Sequence, residues 1–316
     1  MATLVTWDEF TGTEIKGGTI REIVMGDVVN VVAVDRPLMA LLGRQDVEGL
    51  FIERLEDTLG SRGYNAVQEG APFTAPDLTT ATRLGYHVQR FAEWGQVSDE
   101  QRDTSHYNED PFSYQVGKNT EELMNDMEHT LHQGTVVSGA SGTPRQLEGL
   151  IEIFDQTGTV TYETDASGTT LTESKFIDRL QVFPDNDINV QPNTVLVNAW
   201  LKRTISEYST KITRNIEAAS AKQILLIEKH SSDFGDVDIV YTRDQPSAAS
   251  VGAHGNSLIV LDRGRFDVGW FKVPTFEQLS RDGFRDRFQM TSQATLVYKT
   301  RKGGGGGIGY VANVTV

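Results

Sequence analysis

The chain has 316 residues, 38% of them hydrophobic, and no cysteine, so it can bury a sizeable core but offers no disulfide, thiolate nucleophile or cysteine metal ligand. With 44 acidic against 29 basic residues its net charge is -15 and dispersed, which argues against a sequence-independent grip on nucleic acid, where clustered Lys and Arg must displace counterions from phosphates. The N-terminus MATLVTWDEFTGTEIK has no basic start or apolar run, and the most apolar window, Ile23 to Val34, contains Asp27 and Asn30 and is too short to cross a bilayer.

Residues 1 to about 20 show little pattern and read as an extended arm or as a disordered terminus. DRPLMALLGR, Asp35 to Arg44, is a short helical turn started by Pro37 and stopped at Gly43. Gly49 to Leu59 and Thr82 to Val97 then read as two legs of a hairpin. In the second leg Leu84, Tyr86 and Val88 alternate with polar residues and the phase shifts near Phe91, as a bulge would cause. At ~3.3 Å per residue such an arm could reach roughly 35 to 50 Å. Between the legs, GSRGYNAVQEGAPFTAPDLTT (Gly60 to Thr80) has no periodicity, and loops of this length are mostly disordered, lids or binding elements.

Asp110 as N-cap, Pro111 at the first helical position and Gly134 as stop predict a long helix, with Phe112, Val116, Leu123, Met127 and Leu131 forming one apolar stripe. A Gly/Ser turn leads into the apolar segment ending at Phe154, and Asp155 to Thr170 marks a boundary. Mixed α/β follows: a helix around Phe176, Leu180 and Phe183, a strand TVLVN, and a helix from Asn198 carrying Trp200, Leu201, Ile205 and Tyr208. The strands KQILLIEK, VDIVYT and SLIVLD come next. Shared parity at Phe288, Met290, Leu296 and Tyr298, and again at Ile308, Tyr310, Ala312, Val314 and Val316, predicts a terminal hairpin.

Chemistry-bearing motifs are weak. A formal GxGxxG at Gly304, Gly306 and Gly309 has too little chain after it for the helix and acidic residue that a dinucleotide site needs. Asp126 with His129, and Glu128 with His132, have helical metal-pair spacing, but no second copy completes a site, and a solvated polar face is the reading preferred. SGASGTP lacks the spacing of a nucleophile elbow, and KHSSDF (Lys229 to Phe234) holds Ser, His and Asp as mere sequence neighbours. No catalytic, cofactor-binding or metal residue is expected.

The order of parts, together with DRPLMALLGR before the hairpin, AVQEGAPFTAP at its tip, YHVQRFAEWGQVSDEQR on its return leg, KNTEELMNDMEHTL and SGTPRQLEGLIEIF, resembles the major capsid (major head) protein of tailed bacteriophages. The late stretch from SLIVLDRGRFDVGWFKV to LVYKTRKGG also looks like the end of those proteins, so the resemblance spans roughly residues 25 to 310. It implies an α+β architecture, the HK97-like Johnson fold: an N-terminal arm and linker (1–47), an extended β-hairpin loop (48–97), a peripheral domain with a long spine helix (98–158 and 286–316) and a mixed α/β axial domain (159–285).

The function implied is a structural one, not an enzyme's: self-assembly through hexamers and pentamers into an icosahedral virion shell enclosing double-stranded DNA, put together in the host cytoplasm. The expected partners are the protein itself, a portal, a scaffold separate from this chain if one is used, and any cement protein, with no cofactor and no membrane. The loop tip would be the self-assembly element, Tyr64, Val67 and Phe73 giving apolar contact while Arg62, Glu69 and Asp77 fix register. The acidic balance leads us to expect an inner wall that does not hold DNA tightly. Two other classes remain open in the sequence: an encapsulin-like cellular compartment shell, and an enzyme whose long loop is a lid.

Overall fold

A computed structural model of the chain describes residues 35–57, 63–64, 66–72, 81–103, 110–140, 142–155, 163–165, 171–185, 192–208, 229–246, 256–299 and 308–312. Helix α1 (Pro37–Leu41) starts at a proline, whose missing N–H costs nothing there, and runs into strand β1 (Gly43–Asp46). Strands β2 (Phe51–Glu56) and β3 (Thr82–His87) form a separate two-stranded ribbon, and β4 (Gln89–Ser98) follows directly. Short α2 (Asp99–Asp103) precedes the long α3 (Pro111–Gln133). Next come α4 (Leu150–Asp155), β5 (Glu163–Asp165), α5 (Glu173–Asp185), β6 (Thr194–Val197) and α6 (Ala199–Tyr208). The remaining strands are β7 (Lys229–Ser232), β8 (Gly235–Tyr241), β9 (Leu258–Leu261), β10 (Phe266–Leu279), β11 (Arg285–Tyr298) and β12 (Ile308–Ala312).

Two sheets organise these elements, one in the order β1-β10-β11-β4 and one in the order β5-β12-β9-β6-β8-β7. Helix α3 has the boundaries its sequence predicts. The Asp110 carboxylate accepts from the Ser113 N–H at 3.2 Å, and the Gly134 N–H donates to the Thr130 carbonyl at 2.8 Å. Its Leu123, Met127 and Leu131 are buried against Phe288, Met290 and Leu296 of the first sheet, with Phe112 and Val116 packed at the margin. Each fully buried side chain of this size contributes roughly 1.5–3 kcal/mol.

Strands β6 and β9 are buried at every residue, as expected where both faces of a strand are covered. Alternation then sends Leu196, Ile259 and Leu261 into the core shared with α3. Val195, Val197, Leu258 and Val260 go to a second core with Phe176, Leu180, Leu201 and Ile205. The Asn198 side chain caps α6 by accepting from the Leu201 N–H at 2.8 Å.

Several expectations need correction. The ribbon legs are six residues each, about 20 Å at 3.3 Å per residue, because the predicted second leg divides at Val88. Its first part pairs with β2 and its second part with β11, so the phase shift is a change of sheet, not a bulge at Phe91. The terminal hairpin is also differently paired. β11 pairs antiparallel with β10, whereas β12 lies between β9 and β5 in the other sheet. Parity reads a strand's own faces, not its partner, and β10 was hidden by Pro274 and two register shifts around Lys272. A division between residues 285 and 286 falls inside β11, one residue from its start. KQILLIEK up to residue 228 lies outside the described residues, and the side chain of Phe183 is likewise not described.

Candidate assembly surface

Among the described residues the ribbon is fixed at its base. At the base the Tyr86 hydroxyl donates to the Tyr298 carbonyl, its ring meets Tyr298 edge-on at 4.9 Å, and the Val88 N–H donates to the Leu50 carbonyl at 3.1 Å. The Phe51 ring lies over Gly85, where an added Cβ would come within 2.4 Å of it, and stacks tilted on His87 at 4.8 Å. Burial, and then the Arg145 charge, lower the His87 pKa, which favours the neutral ring at the ribbon base. Farther out, Glu53 and Arg83 bridge across the strands at 3.2 Å, and Leu55 is 68% exposed.

Of the six expected tip residues, Tyr64, Val67 and Glu69 are described, and all three are exposed. The Ala71 N–H donates to the Gln68 carbonyl at 3.0 Å, closing a turn around Gly70, whose φ of 77° explains the glycine. No described side chain of the tip packs into either core. Arg62, Phe73 and Asp77 lie outside the described residues.

Two further features were not singled out from the sequence, and a third was misread there. Trp94 on β4 is 68% exposed, on the face opposite the inward Phe91 and Val97. The strand QRFAEWGQVS did carry that signal, since Trp94 falls in phase with Arg90 and Gln96. Phe284, 82% exposed, sits at the β10–β11 turn among braced charges: Arg281 bonds Asp99 and reaches Asp286 at 2.7 Å, Arg102 reaches Asp286 at 2.6 Å, and Arg287 reaches Asp282 at 3.3 Å.

The third feature corrects the solvated reading of α3's polar face. Glu128 and His132 are buried, at 1% and 0% exposure. Glu128 accepts from the Leu38 N–H at 2.6 Å and the Met39 N–H at 2.9 Å, satisfying free amides at the start of α1 with a negative charge. The Nε2 of His132 lies 3.7 Å from the same carboxylate and 3.4 Å from Thr242 Oγ1. Arg36 reaches Glu121 at 2.7 Å, so α1 is fastened to the spine helix by side chains two turns apart. On the exposed side His129 meets Asp244 at 3.1 Å; this hydrogen bond raises the His129 pKa against an opposing effect of burial.

Nothing described is arranged for catalysis. Gly309 lies in β12, a strand rather than the start of a helix. In KHSSDF the Ser232 hydroxyl accepts from the Phe234 N–H and donates to the Gly235 carbonyl, a turn role, while His230 packs edge-on to Phe176 at 5.2 Å. Among the described residues no group of three or more His, Asp or Glu could hold a metal ion, and no helix is long and apolar enough to cross a membrane.

Comparison with solved structures returns capsids. The capsid of a native GTA particle superposes with a TM-score of 0.68 at 11% identity, covering 95% of this chain and 97% of that one. The cyanophage A-1(L) capsid gives 0.66 at 13% identity, covering 98% and 99%. An encapsulin complex from Synechococcus elongatus gives 0.58 at 10% identity, covering 99% and 97%. Similarity at these identities shows the fold, which is the HK97-like α+β fold. No curated protein matches the chain. The model of the SU10 major capsid protein family matches residues 8–309, nearly the whole length, so the chain belongs to that family and is a structural protein of a phage-type capsid shell.

Proposed function

We propose that copies of this chain assemble through hexamers and pentamers into an icosahedral shell enclosing viral double-stranded DNA, with the ribbon tip as the clasp between neighbours. The observation that carries the clasp is the exposure of Tyr64 and Val67 on a ribbon that, among the described residues, is anchored at its base. A lone two-stranded ribbon is marginal in water and gains by being covered. A clasp repeated around a shell holds each subunit by several neighbours at once, which favours the closed particle. In the intact tip Phe73 would add apolar contact, and Arg62, Glu69 and Asp77 would set register.

In this reading the first sheet with α3 forms the peripheral domain, which would then include β10. The second sheet with α5 and α6 forms the axial domain, with β12 completing it. A portal, any scaffold and any cement protein would be separate chains, assembly would take place in the host cytoplasm, and the chain would have no enzymatic activity. The test is replacement of residues 61–79 by a two-residue Asn-Gly turn, which closes a hairpin well. The variant should remain a soluble, cooperatively melting subunit and form no shells under negative-stain microscopy, while the unaltered chain forms them. Closed particles from the shortened chain would refute the clasp. The encapsulin similarity keeps a compartment shell as the second reading, and purified particles without DNA but with a cargo protein would favour it.

A further inference from the structure

The chain passes from the ribbon into the first sheet within two residues. His87, the last residue of β3, pairs with Phe51 of β2, and Gln89, the first of β4, pairs with Ala294 of β11. Between them Val88 donates its N–H to the Leu50 carbonyl at 3.1 Å, and just before them Tyr86 is tied to the Tyr298 carbonyl. Any swing of the ribbon against the sheet turns here.

The titratable group at this turn is His87. Its Nδ1 is buried and has no hydrogen-bond partner among the described residues, while its ring lies tilted on Phe51 at 4.8 Å. A neutral ring tolerates that setting, since its single proton can sit on Nε2 and leave Nδ1 a bare acceptor. An imidazolium does not. It carries an N–H on both nitrogens, and one of them then points into a site without an acceptor.

The surroundings oppose the charged ring as well, through burial first and then through the Arg145 guanidinium on the turn before α4. Arg145 is held where it is. Its side chain lies over Gly139, where an added Cβ would come within 2.3 Å of the Arg145 Cγ, and two residues further on the Leu147 N–H donates to the Gln89 side chain at 3.0 Å. Other nearby charges are occupied. On the His87 face of the ribbon the next ones outward, Glu53 and Arg83, bridge each other at 3.2 Å, and on the Tyr86 face Glu148 accepts from the Tyr298 hydroxyl at 2.9 Å.

We propose that His87 is a pH-sensitive pivot: neutral, it locks the ribbon against the sheet, and protonated, it frees the ribbon to turn about Val88. The use of the pivot rests on the shell reading, since a chain placed in rings of both five and six copies meets its neighbours at different angles. The lock itself belongs to the single subunit. Anchoring is fully present above the ordinary histidine value of about 6.5 and is lost as pH falls through the lower folded value, the opening equilibrium rising by up to about tenfold for each pH unit between the two.

Hydrogen exchange in the full-length unassembled subunit, corrected for the intrinsic effect of pH, reads the lock. Amides of β2, β3 and Val88 should lose protection on acidification below about pH 6.5 while those of α3 keep theirs. His87→Phe keeps a ring on Phe51 but cannot titrate, and should abolish the loss. Arg145→Gln should raise the His87 midpoint followed by NMR and shrink the loss. No loss in the unaltered chain, or an equal loss in His87→Phe, would overturn the pivot. Should His87→Phe fail to fold, the Arg145→Gln readings decide alone, and an unmoved midpoint with an undiminished loss would overturn it. Failure of the unaltered chain to form particles would bring down the shell reading by itself, because the exchange experiment needs no assembly.

Discussion

Replacing Glu128 by Gln tests whether one buried carboxylate fastens α1 to the spine helix. The side chain is 1% exposed and accepts from two consecutive amides at 2.6 and 2.9 Å. Hydrogen bonds to a charged group contribute about 1.5–3 kcal/mol each. The amide oxygen of Gln can keep one of them, but its NH2 then faces the other N–H donor to donor, and the favourable charge at the helix start is lost. A cost of about 2–4 kcal/mol follows, a large part of the 5–15 kcal/mol by which domains are stable. The control is Glu121→Gln, which removes the bridge to Arg36 from a side chain 42% exposed and should cost no more than about 1 kcal/mol. Urea unfolding of unassembled subunits reads both, and limited proteolysis between Asp35 and Leu42 should accelerate in the Glu128 variant alone. Equal and small shifts for the two variants would refute the claim that the buried carboxylate, rather than apolar packing of Leu38, holds α1 in place.

At Gly95 an added Cβ would lie 2.2 Å from the ring of fully buried Phe288, so Gly95→Ala should cost about 1–3 kcal/mol; at Gly85 the ring in the way is half-exposed Phe51, which can swing aside, and the same change should cost clearly less in urea. The raised His129 pKa means that its bond to Asp244 stabilises the fold fully below the unfolded value near 6.5 and that this contribution is lost as pH rises through the folded value. Asp244→Asn should remove that pH dependence and lower the His129 midpoint followed by NMR. No lysine occurs between Lys16 and Lys118, so the extended loop cannot supply the amine for a Lys–Asn cross-link between subunits. Mature particles boiled in SDS should run as one band near 35.0 kDa, and a ladder would contradict this.

Elements whose signal lies within one segment were legible. The cap at Asp110, the proline at position 111 and the stripe through Leu123, Met127 and Leu131 define α3 without reference to the rest of the chain. The cap and apolar spacing of α6 and the largely apolar strands β6 and β9 were readable for the same reason. Pairing was not. The parity of Phe288 to Tyr298 is correct, yet the partner strand β10 breaks its own alternation through Gly269, Pro274 and two register shifts, so the more regular residues 308–316 looked like the better match. Glu128 and His132 were misread because helical spacing tells which side chains share a face, while only the tertiary fold brings α1 and Thr242 onto that face and removes it from water.

The same limit explains what could be seen of the assembly surface. Gly60 to Thr80 stood out by lacking a pattern, and Tyr64 and Val67 are exposed as a contact with another chain requires. A surface that receives such a contact leaves a different trace. Trp94 is an apolar residue in the polar phase of a strand, and Glu93 and Asp126 are acids far apart in sequence that α3 and β4 bring to one cleft, which Arg90 and His129 also line. An unpaired, partly buried carboxylate costs stability in an isolated subunit. In a chain that works as one of many identical copies the compensating group can lie on the next copy.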